Sequence, residues 1–234
     1  MNILEKVMYD ITVASDEKIR IASQHFFKNG IQCHGVKSTD VRETAKKFYR
    51  EIKNFKKEEI FDLCEELWRT NYQEESCIAC EWAYRIARQY EKSDFKILDH
   101  WVKNYVNNWA KCDILCNHTV GTFIEMYPEC IGELEKWATS DNRWVRRASC
   151  VTLIIPAKHG LFLDEIFKLA KMVLTDEDDM VQKGYGWMLK AASEAHLQEV
   201  YDFVVSNKAS MPRTAYRYAI EKMPADMKKE AMKK

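Results

Sequence analysis

The feature that most constrains this chain is a helical hydrophobic rhythm running from end to end. Apolar residues recur at three-to-four spacing near 2–13, 16–28, 39–53, 57–69, 74–91, 95–108, 114–127, 129–138, 142–158, 162–174, 178–194, 196–207 and 212–222. No alternating strand pattern intervenes. Only 7 Gly and 4 Pro occur in 234 residues, too few for the many turns of an all-β fold. Asp16, Ser38, Asp94 and Asp141 stand where helix N-caps belong.

Many short helices with short links predict antiparallel pairs stacked on one another. Each pair takes about 35–45 residues, the range of HEAT-like repeats. The expected fold is all-α, an α-α superhelix of HEAT-like helical repeats, in a single domain over residues 1–234. Self-similarity between pairs is poor, so an irregular helical bundle is the alternative. One longer link, Asn29 to Lys37, carries Gly30 and Gly35, which fit a loop that must turn tightly.

The composition is that of a globular chain, 47% hydrophobic and 31% charged. Thirty-six basic residues balance 36 acidic ones. Net neutrality speaks against a nucleic-acid binder, although only a local patch need be positive. Met1 to Lys6 has no apolar run behind a basic cluster, and no stretch approaches the ~20 apolar residues of a membrane span. A cytoplasmic protein with no membrane partner is expected, and nothing argues for more than a monomer. The 8 Cys then read as reduced, mostly buried thiols. Cys77 and Cys80 form a CxxC, and Cys112, Cys116 and His118 lie close together, but neither set has the paired spacing of a zinc site. No metal and no cofactor are expected. Gly-rich phosphate loops and nucleophile elbows are absent from the sequence.

Helical phase sorts the remaining candidates. In 178–194, Val181, Tyr185, Met188, Leu189 and Ala192 form a core stripe, and Trp187 falls on the opposite face with Lys183 and Lys190. Trp187 either packs against the next repeat or forms an aromatic platform beside phosphate-binding lysines. In 142–158, Trp144, Ala148, Val151 and Ile155 form the stripe, with Arg143, Arg146 and Arg147 on one flank. Three guanidiniums with no acid interleaved need an anion: DNA phosphate, or carboxylates of a neighbouring helix. Trp109 continues the stripe of Phe95, Leu98, Val102 and Tyr105, which favours the core. Asp113 follows one turn later; it caps a new helix or faces a cleft beside Trp109. From Met211 to Lys234 seven basic residues, Arg213 and Arg217 among them, outnumber three acidic ones.

The sequence resembles the AlkD-like family of DNA alkylation-repair glycosylases in several stretches: Gly30 to Arg42, Leu67-Trp68 with Tyr72 to Glu75, Asn108 to Asp113, Ser140 to Ala148, and Val181 to Lys190. The resemblance implies a helical-repeat fold around duplex DNA and hydrolysis of the N-glycosidic bond of cationic N3- and N7-alkylated purines, without base flipping. It also implies that Trp109 and Trp187 flank the deoxyribose, that Asp113 sits near the anomeric carbon, and that Arg147 contacts backbone phosphate. Asn108 stands where some members have another Trp, and Cys112 and Cys116 are not family hallmarks. Because Trp109, Asp113, Arg147 and Trp187 are all kept, activity is expected. The competing readings are a non-catalytic binder of distorted or branched DNA and a helical scaffold for another protein.

Overall fold

The computed structural model describes residues 1–28 and 30–233, so Asn29 of the first loop and Lys234 of the basic tail lie outside it. The described residues are helical, with no strand among them. They form two compact units, Met1–Glu91 and Lys92–Lys234.

The first unit contains α1 (Ile3–Val13), α2 (Glu17–Phe26), α3 (Ser38–Ile52), α4 (Lys57–Arg69) and α5 (Gln73–Arg85). Asp16 caps α2 as expected, accepting from the backbone of Lys18 and Ile19. Ser38 does not cap; it is the first residue of α3, one place beyond the cap position. The apolar faces of α3, α4 and α5 meet through Ala45, Phe48, Ile52, Ile60, Leu67, Trp68, Ile78 and Trp82, all buried. The Trp82 indole N–H donates to the Ala45 carbonyl, which fixes α5 on α3. The loop before α3 turns through Gly30 and Gly35, both at positive φ. A Cβ on Gly35 would lie 2.4 Å from the Asp16 carbonyl, so only glycine lets the loop approach α2. The buried Glu74 carboxylate accepts from the N–H groups of His34, Gly35 and Val36 and holds the loop down.

The second unit contains α6 (Phe95–Asn104), α7 (Trp109–Ile114), a π-helical turn (Leu115–Val120) running straight into α8 (Gly121–Met126), α9 (Gly132–Ala138), α10 (Arg143–Val151), α11 (Ile154–Lys158), α12 (Leu163–Met172), α13 (Asp179–Ala192), α14 (Leu197–Ser206), α15 (Arg213–Ile220) and α16 (Ala225–Ala231). The segment read as one helix over 142–158 is two, α10 and α11. Pro156 has no N–H to give and its ring would strike the Thr152 carbonyl of a continuous helix. The α10 stripe shifts accordingly: Val145, Ala148 and Val151 are buried, while Trp144 and Ile155 are half-buried. Asn142 rather than Asp141 caps α10, accepting from Trp144 N–H. Asp94 occupies the cap position of α6 without a side-chain cap bond. Helix α16 lies beyond the last helix predicted from periodicity, inside the basic stretch from Met211; the Tyr216 hydroxyl and Lys208 Nζ both donate to the Ala231 carbonyl and pin it.

Contacts between helices give their direction. The Cys112 thiol reaches the Trp144 carbonyl, and a Cβ on Gly121 would meet the Thr152 carbonyl. Arg143 meets Asp179, and Arg147 meets Met180 and Gly184. A Cβ on Gly186 would meet Ala215 and Tyr218, and Lys190 pairs with Glu221. Residue numbers climb together across each pair, so α7–α8, α10, α13 and α15 run parallel, side by side. Helices α9, α12 and α14 back this layer, with Phe167 of α12 stacked on Phe203 of α14 at 4.5 Å. Two helical layers over one core is the arrangement that buries the apolar stripe of every helix.

Candidate active site

The site starts at a helix break. Helix α6 ends at Asn104, and Asn108 opens α7 by accepting from the Lys111 backbone N–H at 2.9 Å. Trp109 is therefore the first residue of α7, half-buried, and does not continue the α6 core stripe as phase alone suggests. A break is one of the two outcomes the sequence allows here, but its cap is Asn108 and not Asp113. Asp113 lies inside α7, one turn on from Trp109, and its carboxylate is turned to α10.

There it meets Arg147. Arg147 Nε donates to Asp113 Oδ1 and Nη2 donates to Oδ2, both at 2.9 Å. This two-point geometry is the strongest form a carboxylate–guanidinium contact takes. Arg147 Nη1 donates to the Met180 carbonyl at 2.6 Å, so three of its five N–H groups are engaged. Arg147 is only 4% exposed, which corrects the picture of a surface arginine. Glycine at 184 makes room for it, since a Cβ there would stand 3.2 Å from Arg147 Cγ. The Asp113 side chain keeps 16% of its surface open.

Burial pushes the Asp113 carboxyl above its ordinary range, and the Arg147 charge and hydrogen bonds offset this only in part. For Arg147, burial is the largest single influence and works against the charge, but the Asp113 charge and hydrogen bonds together with the nearby Cys112 and Cys116 outweigh it, and the guanidinium is held more firmly protonated. Behind the pair lie Cys112 and Cys150, whose thiols burial pushes up, in keeping with inert structural cysteines. Seven of the eight cysteines are buried and Cys77 is half-buried. The π-helical turn begins two residues after Asp113; such turns recur at functional sites.

Trp187 lies one turn beyond Gly184 on α13. The core stripe predicted for this helix is buried throughout, at Val181, Tyr185, Met188, Leu189 and Ala192. Trp187 is half-buried on the other side, between Lys183 and Lys190, both also half-buried.

The remaining cations divide into two groups. Arg143 Nε lies 2.8 Å from Asp178, and its guanidinium covers the Trp144 ring at 4.8 Å. Arg146 Nε donates to Asp176 at 2.6 Å, and its Nη1 donates to the Ser140 and Asp141 carbonyls. Lys183 pairs with Asp179 and Lys190 with Glu221. The anions that the arginine cluster requires are thus carboxylates of Asp176, Asp178 and Asp179, just ahead of and at the start of α13. Arg213 and Arg217 differ: both are exposed on α15 and make no ion pair among the described residues. The Met180 carbonyl, Gly184 and the three aspartates are site residues that sequence reasoning misses. The acidic run Asp176 to Asp179 is the available signal for the last of these.

A layer of parallel helices bearing a partly open carboxylate clamped by a buried guanidinium, with half-buried indoles on the flanking helices, defines the site. The chain belongs to the family described as DNA alkylation repair enzyme, whose model matches residues 7–223. A solved structure described as a predicted DNA alkylation repair enzyme from Enterococcus faecalis superposes with a TM-score of 0.81 at 16% identity, over 90% of this chain and 97% of that one. The fold is therefore that of the Enterococcus faecalis structure. No curated protein matches the chain.

Proposed function

We propose that this chain is a DNA glycosylase that hydrolyses the N-glycosidic bond of cationic N3- and N7-alkylated purines in duplex DNA, without base flipping. The observation that carries the reading is the Asp113 carboxylate, fixed by Arg147 in a family of DNA alkylation repair enzymes.

The chemistry follows from charge. When the glycosidic bond breaks, its electron pair passes to the cationic base, which leaves neutral. Positive charge develops on the deoxyribose, as an oxocarbenium-like cation. A carboxylate held in a largely water-excluded site stabilises that charge without having to reorganise. The faces of Trp109 and Trp187 add an attractive quadrupole. Water then bonds to the anomeric carbon and gives up a proton, leaving an abasic site and free alkylpurine. Asp113 acts in the ionised form, and Arg147 keeps it ionised and oriented. Arg213 and Arg217, exposed and without an ion pair among the described residues, supply cations for backbone phosphate; Arg143, Arg146, Lys183 and Lys190 join them by exchanging their carboxylate partners for phosphate, and the buried Arg147 acts through Asp113. Residues 1–234 act together on one duplex, as a cytoplasmic monomer. No described helix is long and apolar enough to cross a membrane.

The test is release of free 3-methyladenine and 7-methylguanine from methylated duplex DNA. Wild type releases base, and Asp113→Asn, nearly isosteric but uncharged, does not. If the wild type leaves every alkylpurine in place while still binding DNA, it is a binding protein and not a glycosylase.

A further inference from the structure

The candidate site uses residues of the second unit alone, yet the first unit carries an uncompensated charge pattern of its own. On α3, Arg42, Lys46, Arg50 and Lys53 are exposed, and none makes an ion pair among the described residues. Lys53 is the C-cap residue. At about 100° per residue the four project within roughly 80° of one another. Tyr49 shares this face, with the Arg85 guanidinium 5.2 Å from its ring centroid.

The other flank of α3 is built differently. Lys47 pairs with Asp10 and Glu51 with Lys6, tying α3 to α1. Elsewhere the chain pairs its helical charges routinely, as in Glu66 with Arg69 and Glu81 with Arg85. Like charges one turn apart weaken a helix. A row of cations spaced four, four and three residues apart is therefore the opposite of what helix stability favours. The cations of α10 and α13 are all matched to carboxylates, so this strip is a concentration of unmatched positive charge in the first unit, in addition to Arg213 and Arg217 of the second.

We infer that the exposed face of α3 is a strip for the phosphate backbone of duplex DNA, a contact added to those of the second unit; the choice of DNA rests on the repair function proposed above. From Arg42 to Lys53 the strip rises about 16 Å. One DNA strand passes about five phosphates over that length. Long flexible cations without a base-reading amide suit sequence-independent contact. An anionic membrane is the poorer fit, because a helix that lies on lipid must offer an apolar face. The apolar residues of α3, Val41, Ala45, Phe48 and Ile52, are buried in the protein.

The experiment is a salt titration of binding to a short undamaged duplex. It compares wild type with the variant Arg42→Gln, Lys46→Gln, Arg50→Gln, Lys53→Gln, and with a charge-keeping control, Arg42→Lys, Arg50→Lys. Each phosphate that the protein no longer neutralises flattens the plot of log K against log salt by about 0.9. The Gln variant is expected to flatten it by at least about 2 and to bind at least about tenfold more weakly at low salt. The Lys control is expected to keep the wild-type slope, since the slope depends on charge. Equal slopes and affinities for wild type and the Gln variant overturn the strip and leave the glycosylase reading standing. A slope flattened by the Gln variant, in a protein whose wild type releases no base, sustains the strip and removes the glycosylase. Wild type that ignores duplex DNA but binds phosphatidylserine vesicles through these four residues overturns the strip as a DNA contact.

Discussion

Asp113 and Arg147, 34 positions apart in the chain, face each other through two parallel hydrogen bonds of 2.9 Å. The pair ties α7 to α10, and the third Arg147 bond, to the Met180 carbonyl, ties both to α13. One guanidinium thus sets the position of the carboxylate and joins the helices that carry the two indoles. Arg147, buried and bonded to Asp113 and Met180, is placed to orient the carboxylate.

Removing one partner strands the other. Arg147→Met leaves Asp113 buried without its counter-charge, and destabilisation of about 3–5 kcal/mol is expected in urea unfolding. The double variant Asp113→Asn, Arg147→Met leaves no buried charge and is expected to recover much of that loss. Arg147→Lys keeps the charge but cannot make two parallel bonds, so base release is expected to fall further than stability. Equal unfolding midpoints for wild type and Arg147→Met would sink the account.

The Asp113 carboxyl also sets opposite pH trends for activity and stability. Burial raises it above the ordinary 3.8. On the proposed mechanism activity needs the ionised form, so base release is expected to fall on acidification at a pH above that ordinary value. Stability runs the other way: the folded state holds this proton more tightly than the unfolded state. The contribution of Asp113 to stability is therefore largest at low pH and declines as pH rises from 3.8 through the raised folded value. Asp113→Asn is expected to remove that component from a plot of unfolding free energy against pH. An acid limb at or below the ordinary aspartate range contradicts the burial argument.

Local patterns in the sequence are enough for most of the helices, though not for the break between α10 and α11 or for α16, and for the α13 core stripe, because helical phase depends only on spacing. Phase fails at Trp109, where a helix break resets it; Asn108, a good N-cap residue, is the sign of that break. The arginine cluster of α10 announces a need for anions, but its partners lie 30 or more positions away, at Asp176 to Asp179. Long-range pairing of that kind leaves no trace in local periodicity. The socket for Arg147 is likewise a matter of tertiary packing, made by a backbone carbonyl and a missing Cβ.

Two glycines of the second unit separate by the room around them. A Cβ on Gly186 would stand 2.7 Å from Tyr218 Cβ and 2.8 Å from the Ala215 carbonyl. Gly186→Ala must push α15 away from α13, and a loss of about 1–3 kcal/mol is expected. At Gly132, on the backing helix α9, nothing lies within 4 Å of such a Cβ. Gly132→Ala is expected to be neutral or to stabilise by up to about 1 kcal/mol. Thermal melts of the two variants decide the matter, and a Gly186→Ala melt at or above wild type would show that α13 and α15 are not so closely packed.

Trp187 tests whether the indole serves chemistry or packing. It is half-buried and makes no hydrogen bond or ring stack among the described residues, whereas Trp101 and Trp137 are fully enclosed in the same unit. Replacing an enclosed Trp by Ala costs about 3–5 kcal/mol; Trp187→Ala is expected to cost less than half of that. Its effect on base release is expected to be larger, at least about tenfold, or about 1.4 kcal/mol of transition-state stabilisation. Trp187→Phe keeps an aromatic face and is expected to restore part of the rate. Single-turnover release from methylated duplex DNA, run beside urea unfolding, separates the two roles. A variant that loses stability and rate in proportion would return Trp187 to the packing role that its helix phase leaves open.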